Sequence, residues 1–261
     1  MCFDHDARPP DLPSDRIRRR IAGGAGHELL TLRSADGAEF SGALATAPEP
    51  SGPAVVILPD VRGLYRFYAE LAQRFAEAGQ HAIAIDYFGR TAGLGERGED
   101  FDFWPHVMET RPPRIQADVV AAIAALRERA GDVPVAAVGF CFGGTMAFLA
   151  NANPDVPLDA VAGFYGGLDT SRFKIRSPID VAPDMKAPVL GLFGGADQGI
   201  TGEQVAAYER ALSDADVPHD IHVYPGAPHS FFDRKHDEFQ QECADAWRRV
   251  LDFLANAKVA A

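Results

Sequence analysis

Short apolar segments alternate with amphipathic segments from Pro53 to the end of the sequence, and this alternation restricts the fold more than any other feature. The apolar segments are 54–58, 81–85, 135–138, 160–164, 189–193 and 221–224. Continuous apolar strands of this kind are typical of a parallel sheet that is covered on both faces. The segments between them repeat apolar residues with helical spacing, as in Phe67, Leu71 and Phe75. The pattern predicts an α/β fold with a mainly parallel central sheet and helices on both faces.

An antiparallel hairpin is predicted before this region. The stretch "HELLTLRSADGAEFSGALATAP" alternates apolar and polar residues on either side of Asp36-Gly37, a dipeptide that favours a tight turn. Residues 1 to about 26 are charged and interrupted by prolines, so we expect an irregular arm. Because no internal repeat or low-complexity linker is present, we interpret residues 1–261 as a single domain.

Charge, hydropathy and cysteine content restrict the partners and the cellular compartment that we expect. A net charge of −12 argues against nucleic acid or an anionic membrane as a partner. The sequence has no apolar run near the ~18 residues of a membrane span and no secretory leader. Its three cysteines form no C-x-x-C motif, which favours reduced thiols. We therefore expect a cytoplasmic monomer or small homo-oligomer without a cofactor; a metal site at Cys2, Asp4 and His5 is only a weak candidate.

Two connections, 87–113 and 165–186, are longer than the usual two to six residues between strands and helices. The first contains the aromatic stretch "FDFWPHVM". Connections of this length are often functional, so the stretch is predicted either to roof a pocket as a lid or to cover an exposed edge of the sheet.

Three chemically reactive side chains follow three of the predicted strands. Ligands of open α/β sheets bind beyond the carboxyl ends of the strands, where Cys141, Asp197 and His229 fall. Cys141 lies in G-x-C-x-G-G, which matches the strained strand-to-helix turn G-x-S-x-G with cysteine at the serine position. A helix that begins at Phe142 would direct its N–H groups and positive end at the sulfur. The order thiol, carboxylate, imidazole predicts a nucleophile, Cys141, whose proton His229 relays while Asp197 orients the imidazole.

Structural interpretations of the same residues remain open at this point. Cys141 could be a packing residue, and Asp197 in "GGADQG" could stabilise an Asx turn. Cys243 falls on the apolar stripe of the last predicted helix and is assigned to the core. Two other function classes also remain: a non-catalytic small-ligand-binding protein on the same scaffold, and a thiol redox protein, which is disfavoured because no resolving cysteine lies near Cys141 in sequence.

The motifs "LPDVRG", "IDYFGR", "GFCFGG", "GFYGG", "GGADQ" and "PHSF", spread over residues 53–254, together resemble the dienelactone hydrolase family of cysteine-dependent α/β-hydrolases. The resemblance implies the α/β-hydrolase fold and a catalytic triad of Cys141, Asp197 and His229. It also implies an oxyanion hole formed by the backbone N–H groups of Phe142 and Val61. The implied reaction is hydrolysis of a small ester or lactone through an acyl-thioester, with no cofactor.

The resemblance assigns two further residues near the nucleophile. Tyr165 matches a tyrosine beside the active site of the family. Asp60 stands where the family has a glutamate that holds the resting thiol and, once substrate binds, moves to deprotonate it. By resemblance Asp60 is therefore a catalytic candidate, although its side chain is one methylene shorter.

Arginines determine what the resemblance implies about the substrate. Family enzymes that open dienelactone grip its carboxylate with two arginines, one of which matches Arg90. The other position holds Asp233, with Arg234 next to it, and Arg62 replaces a residue that is usually an apolar aromatic. A substrate carboxylate could be bound if Arg90 is joined by Arg62 or Arg234, whereas Asp233 would repel it, which argues against dienelactone itself as the substrate.

Overall fold

The computed structural model describes residues 7–13, 15–16, 26–171 and 174–257, so most of the predicted arm, with Cys2, Asp4 and His5, lies outside the described residues. Within these ranges one sheet has the order β1-β2-β4-β3-β5-β6-β7-β8. Its strands are β1 Glu28–Arg33, β2 Glu39–Ala45, β3 Ala54–Leu58, β4 Ala82–Ile85, β5 Val135–Phe140, β6 Ala160–Phe164, β7 Val189–Gly194 and β8 His219–Tyr224.

The sheet is antiparallel at one edge, where β1 and β2 lie, and is otherwise parallel. Strands β1 and β2 form the predicted hairpin, and β2 also pairs antiparallel with β4. Every other neighbouring pair is parallel. Strand β3 lies in the middle and all five of its residues are buried, as its uninterrupted apolar sequence predicted.

Helices cover both faces of this sheet. They are α1 Arg66–Glu77, α2 Gly89–Ala92, α3 Phe103–Glu109, α4 Pro112–Ala130, α5 Phe142–Asn151, α6 Pro178–Val181, α7 Gly202–Asp214 and α8 Gln240–Asn256. Helices α1 and α4 both contact β3 and β4, from opposite faces. On its own face α1 meets α8 through Phe75 and Trp247, whose ring centroids are 4.7 Å apart, and on the other face α4 contacts α5. The α/β fold predicted from the alternating pattern and the α/β-hydrolase fold implied by the resemblance are both confirmed.

Local signals in the sequence account for several helix ends. Thr201 caps α7 in a capping box with Gln204, as the spacing predicted. Gly131 follows α4 with a φ of 77°, a left-handed conformation that glycine adopts at helix ends without a steric penalty. None of the helices among the described residues is long and apolar enough to cross a membrane.

Both long connections contain short helices that the periodicity did not reveal. The first holds α2 and α3, and the second holds α6 followed by a 3-10 turn at Ala182–Asp184. Segments of four to seven residues cover at most two helical turns, which is too short for an apolar stripe to be recognised. The aromatic stretch of the first connection packs inward, with Phe101 5.6 Å from Phe88 and stacked on His106 at 5.0 Å.

Candidate active site

The chain turns sharply between β5 and α5, and Cys141 is the residue at the turn. Its φ of 53° and ψ of −113° lie in a region that L-residues rarely occupy. The Cys141 N–H donates to the carbonyl of Phe164 at 2.9 Å, which ties the turn to β6. A Cβ atom on Gly139 would lie 2.2 Å from the carbonyl oxygen of Gly143, so the strand and the helix can approach only because glycine stands here.

Replacing Gly143 by alanine is expected to lower the free energy of unfolding by more than about 4 kcal/mol, among the largest losses for a single residue. The added Cβ would lie 2.1 Å from the carbonyl oxygen of Leu58 and 2.2 Å from that of Pro59, and both atoms are backbone. Urea unfolding measures the loss. As a control, Gly202→Ala at the start of α7 meets nothing within 4 Å and should change stability by less than about 1 kcal/mol. Equal midpoints for the two variants would contradict the packing argument.

His229 and Asp197 meet Cys141 at this turn. The Nδ1 atom of His229 lies 2.6 Å from Oδ2 of Asp197, and the imidazole and the sulfur of Cys141 line the same cavity. The other oxygen of Asp197 accepts the N–H groups of Gly199 at 2.8 Å and Ile200 at 3.2 Å. Asp197 therefore forms the Asx turn that was its structural interpretation, and the same turn fixes the carboxylate that faces His229.

The protonation of His229 reflects these partners. Burial alone would lower its pKa, but hydrogen bonds to Asp197 and then to Cys141 outweigh burial and raise the pKa to about 10. The site thus stabilises the protonated imidazolium between a carboxylate and a sulfur. Such an arrangement can hold a proton near the sulfur and deliver it to a group that leaves from a neighbouring carbon.

A cavity of about 330 Å³ opens in front of Cys141 and His229. Val61, at the end of β3, and Phe142, the first residue of α5, line it beside the sulfur. The N–H of Phe142 belongs to the first turn of a helix, where amides have no partner within the helix. Neither this amide nor that of Val61 donates a hydrogen bond to another of the residues that the structure describes. The two amides are available to a negatively charged oxygen in the cavity.

Tyr165 lies beside the site, where the resemblance put it. It follows β6 with a φ of 39°, and its ring centroid is 5.0 Å from that of His229. The side chain is buried, and burial raises the pKa of the phenol well above its usual value. Its hydroxyl lacks a hydrogen-bond partner among the described residues, while the residue forms part of the cavity wall. The neutral phenol can therefore donate to a polar atom of a bound molecule.

Asp60 does not line the cavity. It is fully buried, and its carboxylate accepts hydrogen bonds from Arg62 and Arg234. Burial opposes ionisation, but the charge of Arg62 and its hydrogen bonds lower the pKa of Asp60 nevertheless. The structure therefore pairs this carboxylate with two arginines and leaves it out of the lining of the Cys141 cavity.

The arginines that were expected to bind a substrate carboxylate have other partners. Arg62 pairs with Asp60 and Asp233, and Arg234 pairs with Asp60. Neither arginine contributes to the wall of the Cys141 cavity. Asp233 is likewise buried behind the cavity, so the expectation that it meets and repels a substrate carboxylate is corrected. Asp233 and Arg62 both differ from the family pattern, and the two side chains form an ion pair in which their charges neutralise each other.

Arg90 lies in a different part of the molecule. It pairs with Asp36 of the hairpin turn and with Asp118 of α4. The surface groove that it lines includes Arg33 and Glu39 and none of the residues around Cys141. Its position gives no support to the predicted contact with substrate, because short hydrogen bonds hold the guanidinium against α4.

Most of the cavity wall was missed from the sequence. Both long connections contribute to it, the first through Trp104 and Val107 of α3 and the second through Leu168 and Ile175. The aromatic stretch was identified as one that could roof a pocket, and Trp104 does line the cavity while its side chain remains partly exposed. The apolar residues of the second connection had no recognisable periodicity.

The part of the chain that the structure describes lacks a cluster of metal ligands. In residues 7–13, 15–16, 26–171 and 174–257 no group of three or more His, Cys, Asp or Glu residues could hold a metal ion. Cys243 is buried on α8 and its thiol donates to the carbonyl of Phe231 at 3.2 Å, consistent with its assignment to the core.

The sequence is similar to that of known proteins. Residues 40–258 match the Dienelactone hydrolase family. A protein of Methylorubrum extorquens named carboxymethylenebutenolidase is 31% identical over 215 residues, covering 80% of this chain and 73% of that protein. A Yersinia pestis protein with the same name is 30% identical over 239 residues, covering 88% of this chain and 89% of that protein.

Solved structures agree with the sequence matches. The crystal structure of a dienelactone hydrolase from Klebsiella pneumoniae superposes with a TM-score of 0.75 at 28% identity, covering 88% of this chain and 99% of that one. The family match spans both the turn at Cys141 and the loop with His229. The chain is therefore a hydrolase that belongs to the dienelactone hydrolase family.

Proposed function

We propose that this hydrolase acts on small neutral esters or lactones through a triad of Cys141, His229 and Asp197. The observation that carries the proposal is the position of His229, which bonds Asp197 at 2.6 Å and lines the same largely apolar cavity as Cys141, which also raises the pKa of the imidazole. A thiol, an imidazole and an orienting carboxylate in this order are the components of covalent acyl transfer.

The proposed first half-reaction forms an acyl-enzyme. The sulfur of Cys141 attacks the carbonyl carbon as a thiolate, a C–S bond forms, and the π electrons move to the carbonyl oxygen. The amides of Val61 and Phe142 donate to that oxyanion, where one donor is typically worth ~2.7–4 kcal/mol. When the oxyanion collapses, the C–O bond breaks and the protonated His229 gives its proton to the departing alkoxide. In a lactone the released hydroxyl remains attached to the acyl group.

The second half-reaction restores the enzyme. His229, now neutral, takes a proton from a water molecule that attacks the thioester carbon. The same two amides hold the second oxyanion, which collapses to the carboxylic acid and expels the thiolate of Cys141. The cycle ends with His229 protonated, the state of the imidazole that its raised pKa of about 10 favours. Asp197 keeps Nδ1 bonded, so that the other ring nitrogen handles each proton.

The composition of the cavity wall favours an uncharged substrate. The described lining residues include no arginine or lysine; Asp169, His229 and the attacking thiolate of Cys141 carry charge, and the rest are largely apolar. The three arginines that were candidates for binding a carboxylate are paired elsewhere. A carboxylate that enters this cavity loses water and meets no arginine or lysine among the described lining residues, while the imidazolium of His229 is already paired with Asp197. Burying a carboxylate without a free cation is strongly unfavourable.

We expect p-nitrophenyl butyrate to be hydrolysed with a kcat/KM at least roughly tenfold above that of the p-nitrophenyl ester of succinic acid, a difference of ~1.4 kcal/mol. The two esters have similar size and the same leaving group but differ by one carboxylate. A neutral and a carboxylate-bearing lactone form a second pair. Arg172 follows Ser171, which lines the cavity, but lies outside the described ranges. Arg172→Ala is therefore assayed in parallel, to test whether this arginine affects hydrolysis of the anionic esters.

The outcomes separate the candidate functions. Faster hydrolysis of the anionic member of each pair would contradict the neutral substrate class. If no ester or lactone is turned over while a small molecule binds tightly, the alternative of a non-catalytic ligand-binding protein is favoured instead. A disulfide between Cys141 and Cys243 in the native protein would favour the redox alternative.

A further inference from the structure

The guanidinium of Arg62 links two loops that each contribute a residue, Val61 and His229, to the wall of the cavity. Its Nε atom lies 3.0 and 2.9 Å from the two carboxylate oxygens of Asp60. Its Nη2 atom lies 2.8 Å from an oxygen of Asp60 and 2.8 Å from an oxygen of Asp233. Asp60 directly precedes Val61, and Asp233 follows His229 by four positions. One side chain therefore joins the loop of a proposed oxyanion donor to the loop of the histidine.

This bridge is buried and held from several sides. The side chains of Arg62, Asp60 and Asp233 are 7%, 0% and 0% exposed. The guanidinium carbon of Arg62 lies 5.1 Å from the ring centroid of Tyr65 and 5.8 Å from that of Tyr68. Buried among these groups, the guanidinium has little freedom to change position.

Stability alone does not account for such a cluster. Taking three charges out of water is costly, and apolar side chains of similar volume often stabilise a fold equally well. Burial and the neighbouring Asp60 both raise the pKa of Asp233, although Arg62 opposes them, so its charge is held against an unfavourable environment. Buried polar groups of this kind specify a unique geometry more than they increase stability, an interpretation that needs testing in each protein.

The geometry that this cluster specifies is that of the loop around Val61. Asp60 accepts the backbone N–H of Arg62 at 2.8 Å through its side chain and that of Gly63 at 3.1 Å through its carbonyl. The hydroxyl of Tyr87 donates to the carbonyl of Asp60 from the other side. These contacts use the polar groups next to Val61, while Val61 lines the cavity and its amide donates to no other described residue.

We propose that Arg62 is a positioning residue which holds the Val61 amide at the carbonyl oxygen of the substrate, and that Asp60 serves this bridge instead of binding the thiol of Cys141. The inference rests on the proposed function, since the Val61 amide matters only if a carbonyl reacts at Cys141. An oxyanion donor acts mainly in the transition state, so its displacement lowers kcat and leaves KM nearly unchanged.

Three variants and a control test the bridge. The triple variant Asp60→Asn, Arg62→Met, Asp233→Asn removes the guanidinium of Arg62 together with both carboxylates that it joins. Arg234, which also pairs with Asp60, keeps its charge but is 16% exposed and can be solvated. Arg62→Lys keeps the charge but loses the planar fork. Asp60→Asn alone removes the carboxylate. The control Asp118→Asn breaks another buried pair, in which Asp118 accepts from Arg90 at 2.6 Å, far from the cavity.

Two rates are measured for each variant. The first is acylation by p-nitrophenyl butyrate in a single turnover, which needs the oxyanion hole. The second is alkylation of Cys141 by iodoacetamide over a range of pH, which needs the thiolate but forms no oxyanion. In the triple variant acylation is expected to fall by roughly 10- to 100-fold, up to the effect of losing one donor. We expect a smaller loss in Arg62→Lys and none in the control.

Alkylation separates positioning from thiol activation. If Asp60 does not act on the thiol, Asp60→Asn leaves the pH dependence of alkylation unchanged. A shift of that profile would overturn the assignment of Asp60, and wild-type acylation in the folded triple variant would overturn that of Arg62. If the wild-type protein itself is never acylated, the proposed function fails, whereas the alkylation profile of Asp60→Asn still decides whether Asp60 serves the thiol.

Discussion

Replacing Cys141 by alanine is expected to lower kcat for ester hydrolysis on the order of 10⁶-fold, the loss that follows removal of a protease nucleophile. Without the sulfur no acyl-enzyme forms, and water must attack the ester directly. The amides of Val61 and Phe142 remain, so a small acceleration over the solution reaction should persist. The variant should stay folded because alanine accepts the same neighbours at a partly exposed position.

Cys243→Ala is the matched control for this experiment. Its thiol is buried on α8, away from the cavity, so the variant should lose some stability but keep its kcat. With a slow substrate, the mass of an acyl group should appear on the peptide that contains Cys141 and not on the one that contains Cys243. Full activity in Cys141→Ala would rule out covalent catalysis at this residue.

Replacing Asp197 by asparagine is expected to lower kcat about 10⁴-fold, as the corresponding change does in a Ser-His-Asp protease. The amide oxygen of asparagine can still accept the N–H groups of Gly199 and Ile200, so the turn should survive. Its NH₂ group would instead face Nδ1 of His229, which then has to accept. The imidazole proton moves to the nitrogen that serves Cys141, and that nitrogen can no longer take a proton.

The same variant should lower the pKa of His229. The hydrogen bond to Asp197 is the largest of the effects that raise this pKa, and without it the imidazolium loses its main stabilisation. NMR titration of the imidazole measures the change. Asp36→Asn is the control, since Asp36 also accepts the N–H two residues ahead, at 3.2 Å, but faces no histidine. Equal activity in Asp197→Asn and the wild type would mean that the carboxylate only stabilises its loop.

Local sequence patterns predicted those features that depend on residues close together in the chain. The turn at Cys141 follows from glycines at 139 and 143, because any larger residue there would collide with backbone. The strands of the sheet follow from apolar runs, and β3 and β6 have the predicted bounds. The shortest helices were not predicted, because one or two turns carry too little periodicity.

Residues whose role depends on distant partners were harder to interpret. Arg90 matched a substrate-binding arginine in sequence, but Asp36 and Asp118 hold it in another groove. Arg62 and Asp233 each departed from the family pattern, and only their pairing at 2.8 Å, across 171 positions of sequence, shows that the two departures belong together. No pattern within one segment indicates an ion pair between two loops so far apart.

The sequence by itself determined the fold class, the family, and the order in which a thiol, a carboxylate and an imidazole follow three strands. These features depend on local spacing and on the rule that parallel strands present their carboxyl ends at one edge of a sheet. The tertiary structure alone decided which charges face the cavity and which neutralise each other behind it. That outcome depends on which long side chains meet within about 4 Å, since only at such distances does a buried ion pair offset the loss of water.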